Sequence, residues 1–213
     1  MRTRSTIAVL LAGLCSPAAA AATIVDDWAS VAVPPPPELK PVTVDPKATA
    51  LLVLDFNGRE DAASGPCNAA TKPRCLASVP IVRRLVDTAR ARGVFVAYST
   101  SASGRPDDIR AGVAPLPGDP VVRAGPDKFI GTDLRDLLAR RGIDTVVVVG
   151  TAAEGAVLDT ATDAALHGMR VVVPVDGMSS TEPYAEQYVA WHLTHAPGVA
   201  QKTVLTRVDA IGF

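Results

Sequence analysis

The sequence predicts a three-layer α/β/α sandwich with a mainly parallel sheet, and two observations carry that prediction. Apolar runs of strand length recur at residues 48–55, 94–99, 144–150 and 169–175, and runs this continuous belong to strands buried on both faces. Between them lie segments whose apolar residues recur at i, i+3 and i+4, the period of an amphipathic helix. Strands and helices in alternation imply crossover connections and a parallel sheet between helical layers. No internal repeat of fixed period competes with this reading.

The first 22 residues, MRTRSTIAVLLAGLCSPAAAAA, stand outside the fold. Arg2 and Arg4 precede a short apolar run and then small residues, the three parts of a secretory signal peptide. The apolar run is too short for a membrane-spanning helix, which needs about 20 residues, so no stable membrane anchor is expected. Cleavage near Ala20 or Ala22 would release a periplasmic or secreted protein. Residues 23–47 contain Pro34 to Pro37 in a row, then Pro41 and Pro46. Such a segment is expected to avoid regular helix and to lie as an extended arm over the domain formed by residues 48–213.

Within that domain, ATALLVLD (48–55) is a buried strand ending in an acid. Residues 78–93 then read as a helix through Val79, Val82, Leu85, Val86 and Ala89, with Ser78 able to cap its start and Gly93 its end. VFVAYS (94–99) is the second strand. Residues 132–141 set Leu134, Leu137 and Leu138 on one helical face, DTVVVVG (144–150) is the third strand, 156–168 the next helix and 169–175 the fourth strand. Parallel sheets of this kind bind ligands beyond the carboxyl ends of their strands, which singles out Asp55, the segment after Ser99 and the turn from Gly150.

Charge and composition narrow the function. With 21 basic against 22 acidic residues the net charge is −1, which offers no footprint for nucleic acid. Aromatic residues are 4% of the chain, too few for stacking platforms. A small-molecule substrate remains as the expected partner. Export would also place Cys67 and Cys75, in GPCNAATKPRC, in an oxidising compartment. A disulfide between them in a surface loop is favoured over free thiols, and no His or further Cys stands nearby at zinc-ligand spacing. His192 and His195 could share a helical face, but lack a carboxylate in register, so no metal or other cofactor is expected.

Three features at the strand ends could carry chemistry. Asp55 should stand partly desolvated at the rim of the sheet, where burial raises a carboxyl pKa unless a cation is near; the plainer reading is an acid that caps the turn through Phe56, Asn57 and Gly58. Lys128, in GPDKFIGTDL, is functional or simply solvated. GTAAEGAVLDT (150–160) is a tight small-residue turn whose N–H groups at Ala152, Ala153, Gly155 and Ala156 could hold an anionic part of a substrate. It is neither a Walker loop nor GxGxxG.

Together, Asp55, the Lys128 segment, the G-T-x-x-x-G-A-V-L-x-T-A turn with Asp163 and Gly168 downstream, and VVVPVDGMSS resemble the isochorismatase-like hydrolases, from about residue 48 to 180. That resemblance implies a three-layer α/β/α fold, self-association into a homo-oligomer, and a cis peptide between Thr151 and Ala152. The family's cysteine hydrolases, nicotinamidases and carbamoyl-amidases among them, use an Asp, a Lys and a Cys. Asp55 and Lys128 match the first two by motif position, while Ala156 stands where the nucleophilic Cys is expected. A thioester route is therefore implausible, and the isochorismatase branch, which protonates a vinyl ether without a sulfur nucleophile, fits better. The expectation is an exported hydrolase of a small, carboxylate-bearing molecule, with Asp55 as general acid and Lys128 holding the substrate carboxylate and tuning Asp55. The alternative is a catalytically silent binding protein that keeps the family pocket.

Overall fold

The structure, a computed structural model, describes residues 22–58 and 65–213. Apart from Ala22, the expected signal peptide lies outside the described residues. The chain divides at Pro34 into two units. The described part of the first holds one turn of helix, α1 (Ile24–Asp27), running into a 3-10 turn at Trp28–Ser30. Helix here corrects the expectation of a wholly extended arm. The prolines begin only at Pro34, and the Thr23 N–H donates to Asp26 Oδ2 at 2.8 Å, closing the start of the turn.

The second unit, from Pro35, begins with extended chain whose Lys40 N–H donates to the Leu205 carbonyl at 2.9 Å. Its elements are β1 (Val42–Thr43), β2 (Thr49–Leu54), α2 (Pro73–Ala91), β3 (Phe95–Ser101), β4 (Val121–Ala124), α3 (Leu134–Arg140) and β5 (Thr145–Thr151). After a turn at Ala153–Val157 come α4 (Leu158–Leu166), β6 (Arg170–Pro174), β7 (Met178–Ser179), α5 (Pro183–His195), β8 (Thr203–Thr206) and β9 (Ile211–Gly212). The main sheet runs β4-β3-β2-β5-β6-β8, parallel throughout, with β7 alongside the end of β5. β1 and β9 form a separate parallel pair.

Period-two alternation sorts the strand side chains into two cores. Leu51, Val53, Val147 and Val149 pack with Val82, Leu85, Val86 and Ala89 of α2. Ala50, Leu52, Leu54, Val146 and Val148 pack instead with Leu134 and Leu138 of α3, Ala161 and Ala164 of α4, and Val189 and Leu193 of α5. β2 and β5 are buried along their whole lengths because both their faces are covered. Each Leu in such a row should cost about 2 to 5 kcal/mol on truncation to Ala.

Helix α2 starts five residues ahead of Ser78. Pro73 opens it, a position where proline's missing N–H costs nothing, and Ser78 lies inside the helix with its hydroxyl donating to the Cys75 carbonyl at 2.8 Å. Cys75 is therefore a residue of the first helical turn. Cys67 and Cys75 are bonded to each other, as expected, but both are completely buried rather than on a surface loop. Strands β4, β7 and β8 are too short for the apolar pattern to announce them.

Candidate active site

Gly150 and Asp55 bring two turns together at the carboxyl edge of the sheet. Leu54 pairs with Ser99 on one side and with Gly150 on the other, so Asp55 follows directly on a three-strand row. A Cβ at Gly150 would lie 2.4 Å from the Leu54 carbonyl oxygen, which only glycine avoids. Asp55 itself has φ +57, alone among the described non-glycine residues in being positive. Left-handed backbone is unfavourable for most L-residues, and Asp tolerates it better than a branched side chain would. It turns the chain away from the strand direction just where the carboxylate is presented.

Both Asp55 oxygens are engaged. Ser99 Oγ donates to Oδ1 and Lys128 Nζ to Oδ2, each at 2.7 Å. Lys128 Nζ also donates to the Gly125 carbonyl at 2.7 Å. Asp55 is 6% exposed and Lys128 not at all. Burial pushes the Asp55 carboxyl above its ordinary value, against the opposing pull of the Lys128 ammonium and the Ser99 hydroxyl. The expected role of Lys128 is corrected in one respect. Two of its three N–H groups are committed and its side chain has no exposed surface, so it serves Asp55 rather than holding a substrate carboxylate.

The second turn follows β5. The Thr151–Ala152 peptide is cis, as the family resemblance implied. Ala153 and Ala156 are buried and Ala152 is half-buried. Of the expected anion donors, Gly155 is withdrawn, because its N–H donates to the Ala152 carbonyl at 3.2 Å, and Val157 N–H reaches the same oxygen at 3.4 Å. Ala152, Ala153 and Ala156 remain the backbone positions of this turn. Ser179, in register with Thr151, and Ser180 are buried beside it, with hydroxyls that meet no partner among the described residues.

The other singled-out residues are placed elsewhere. His195 Nδ1 lies 2.7 Å from the Trp191 carbonyl and its ring stacks on Trp191; the His192 ring packs against Tyr188; His167 Nδ1 lies 3.2 Å from Asp163, which also pairs with Arg135. Among the described residues no group of three or more His, Cys, Asp or Glu is arranged to hold a metal ion. A cleft of about 560 Å³ opens at the opposite edge of the sheet among Lys47, Phe95, Arg141 and Ile143, but Arg90 and Asp119 within it are already paired with each other. The acid–base pair is at the carboxyl edge. Sequence reasoning missed Ser99 as the carboxylate's second donor, although the hydroxyl-rich end of β3, Ser99 to Ser101, carried the signal.

Comparison with known proteins agrees with this fold. The Isochorismatase domain model matches residues 49–203. An N-carbamoylsarcosine amidase from Arthrobacter sp is 28% identical over 163 residues; the chain spans about 62% of that relative's length, and the match covers 62% of this chain. An isochorismatase family protein from Desulfovibrio vulgaris superposes with a TM-score of 0.66 at 25% identity, over 76% of this chain and 95% of that one. The N-carbamoylsarcosine amidase of Thermoplasma acidophilum gives 0.61 at 26% identity, over 76% and 96%. With the sheet and the matched domain in agreement, the chain belongs to the isochorismatase family of hydrolases.

Proposed function

We propose that this protein is an exported hydrolase of a small molecule, working by acid–base catalysis through Asp55 and Lys128 without a covalent intermediate. The observation that carries the reading is the buried Lys128–Asp55 pair at the carboxyl edge of the sheet, where β5 also ends; the reading takes Ala156, in the turn after β5, as the family's nucleophile position. A methyl side chain cannot attack a carbonyl, so the bond-breaking step falls to proton transfer and water. In the resting pair Asp55 is the acceptor. When substrate enters, Asp55 takes up a proton from solvent, favoured by its burial, and gives it to the vinyl ether carbon of the substrate. Water adds to the resulting oxocarbenium ion and returns a proton to Asp55; the hemiketal so formed then collapses, its C–O bond breaking as the hydroxyl proton passes to the departing oxygen, which leaves a carbonyl product and an alcohol with no bond made to the protein. In this reading the N–H groups at Ala152, Ala153 and Ala156 meet an anionic substrate group.

Export rests on the signal-like first 22 residues, and the Cys67–Cys75 bond supports an oxidising compartment. The relatives named as amidases share the fold and the domain; their reaction is not carried over in this reading, which takes Ala156 to stand at the family's nucleophile position. The test is a hydrolysis screen of vinyl ethers, amides and esters on the purified mature protein, with Asp55→Asn in parallel. Turnover that disappears in the variant, with no acyl-protein mass accumulating, is the expected result. Ligand binding without turnover of any class would instead establish the binding-protein reading.

A further inference from the structure

Lys128 has a demanding position and little regular structure to hold it. Its ammonium must reach Asp55 through four rotatable bonds, so its aim depends on where its own backbone sits. That backbone lies between β4 and α3, outside any strand ladder or helix. Side chains hold it instead. The Lys128 N–H donates to Thr160 Oγ1 at 3.2 Å, and the Thr160 hydroxyl reaches the Pro126 carbonyl at 3.5 Å. Thr132 Oγ1 donates to the Lys128 carbonyl at 2.6 Å. Thr160 is completely buried on α4, four residues after Ala156, so the two stand on the same face of consecutive turns.

We propose that Thr160 is a positioning residue for Lys128, tying the depth of the Lys128 segment to the helix that follows the Ala156 turn. This deepens the acid–base reading above and rests on it. The hydroxyl both accepts from one backbone group and donates to another, so a valine of the same shape fills the space but breaks both bonds, while a serine keeps them. With the anchor gone, the Lys128 segment is released from α4 and its ammonium is no longer held against Asp55.

The test compares Thr160→Val with Thr160→Ser, reading steady-state kinetics and the titration of the Asp55 carboxyl by carbon NMR, its signal assigned by its absence in Asp55→Asn. In Thr160→Val, kcat should fall about 10- to 100-fold with KM little changed, the scale on which small misplacements act. The Asp55 midpoint should move upward, because the charge that lowers it has drifted away. Thr160→Ser should restore both. An Asp55 titration in Thr160→Val that matches wild type overturns the proposal. So does equal loss in the two variants, which would mark Thr160 as packing only. Should the wild type hydrolyse nothing, the titration still decides the positioning role, and only the acid–base function falls.

Discussion

The two turns at the carboxyl edge are built from opposite materials. After β2, function resides in side chains: Asp55, Ser99 and Lys128 form a closed set of charge-assisted hydrogen bonds in a buried place. After β5, residues 152–157 hold Ala152, Ala153, Gly155 and Ala156, and their one ionisable group, Glu154, is exposed. On the proposed reading, the contrast divides the site into a proton-handling half after β2 and a half after β5 that carries no side-chain nucleophile. Its backbone turn can orient and stabilise a substrate but cannot form a bond to it.

The largest effects should follow from breaking the β2 side. Asp55→Asn and Lys128→Ala should each lower turnover about 100- to 10,000-fold, the usual worth of a positioned acid or base. Circular dichroism should show the fold intact in Asp55→Asn. Full activity in either variant would remove that residue from the mechanism. Lys128→Ala carries a second consequence, since it leaves the Asp55 carboxyl buried without its cation, and the Asp55 midpoint should climb further.

The same turn is also clamped from outside. Cys67 N–H donates to the Asn57 carbonyl at 3.2 Å, and Arg110 Nε donates to the Cys67 carbonyl at 2.9 Å, so the disulfide holds the chain that leaves Asp55. Replacing both cysteines by serine should cost about 2 to 3 kcal/mol in denaturant unfolding, the loop-closure value for so short a separation. Unchanged stability would mean that the hydrogen bonds alone secure this turn.

The β5 side can be sharpened by adding what it lacks. Ala156→Cys should create weak amide or ester hydrolysis with a thioester visible by intact mass, if the turn offers its N–H groups to an oxyanion. No adduct with any activated ester would show that the turn is wrongly shaped for acyl transfer. The smallest effect concerns Tyr98, whose hydroxyl accepts from Arg90 rather than from either turn. Burial pushes the Tyr98 phenol up to about 12, so the folded state holds that proton more tightly than the unfolded chain. Its contribution should therefore be lost as pH rises from about 10 to about 12. In Tyr98→Phe the melting temperature should fall less steeply over that range, and an identical slope would refute the assignment.

The layers were legible because strands buried on both faces leave unbroken apolar runs, and Asp55 was legible because an acid ending such a run has few bland explanations. Lys128 was harder to read. Its segment has no periodicity, and its partners Gly125, Thr132 and Thr160 are recruited from loop, loop and helix. The sequence suggested two roles for it, holding a substrate carboxylate and tuning Asp55, and its burial and hydrogen-bond commitments favour the second. The α2 start was misread for a related reason. Ser78 is a plausible cap, but burying Cys75 against Cys67 draws the helix back to Pro73. Edge strands such as β4 escaped because four residues with one face open carry too little pattern.

The central claim is that protons, and no thiol, perform the chemistry. Once a hydrolysed substrate is found, turnover by the mature protein is measured before and after exhaustive treatment with iodoacetamide under non-reducing conditions, with Asp55→Asn as the comparison. Activity that survives alkylation in full and is lost in Asp55→Asn is the predicted result. Activity destroyed by alkylation, with the label mapped to Cys67 or Cys75, would contradict the account, because a sulfur assigned to the disulfide would then be carrying the reaction.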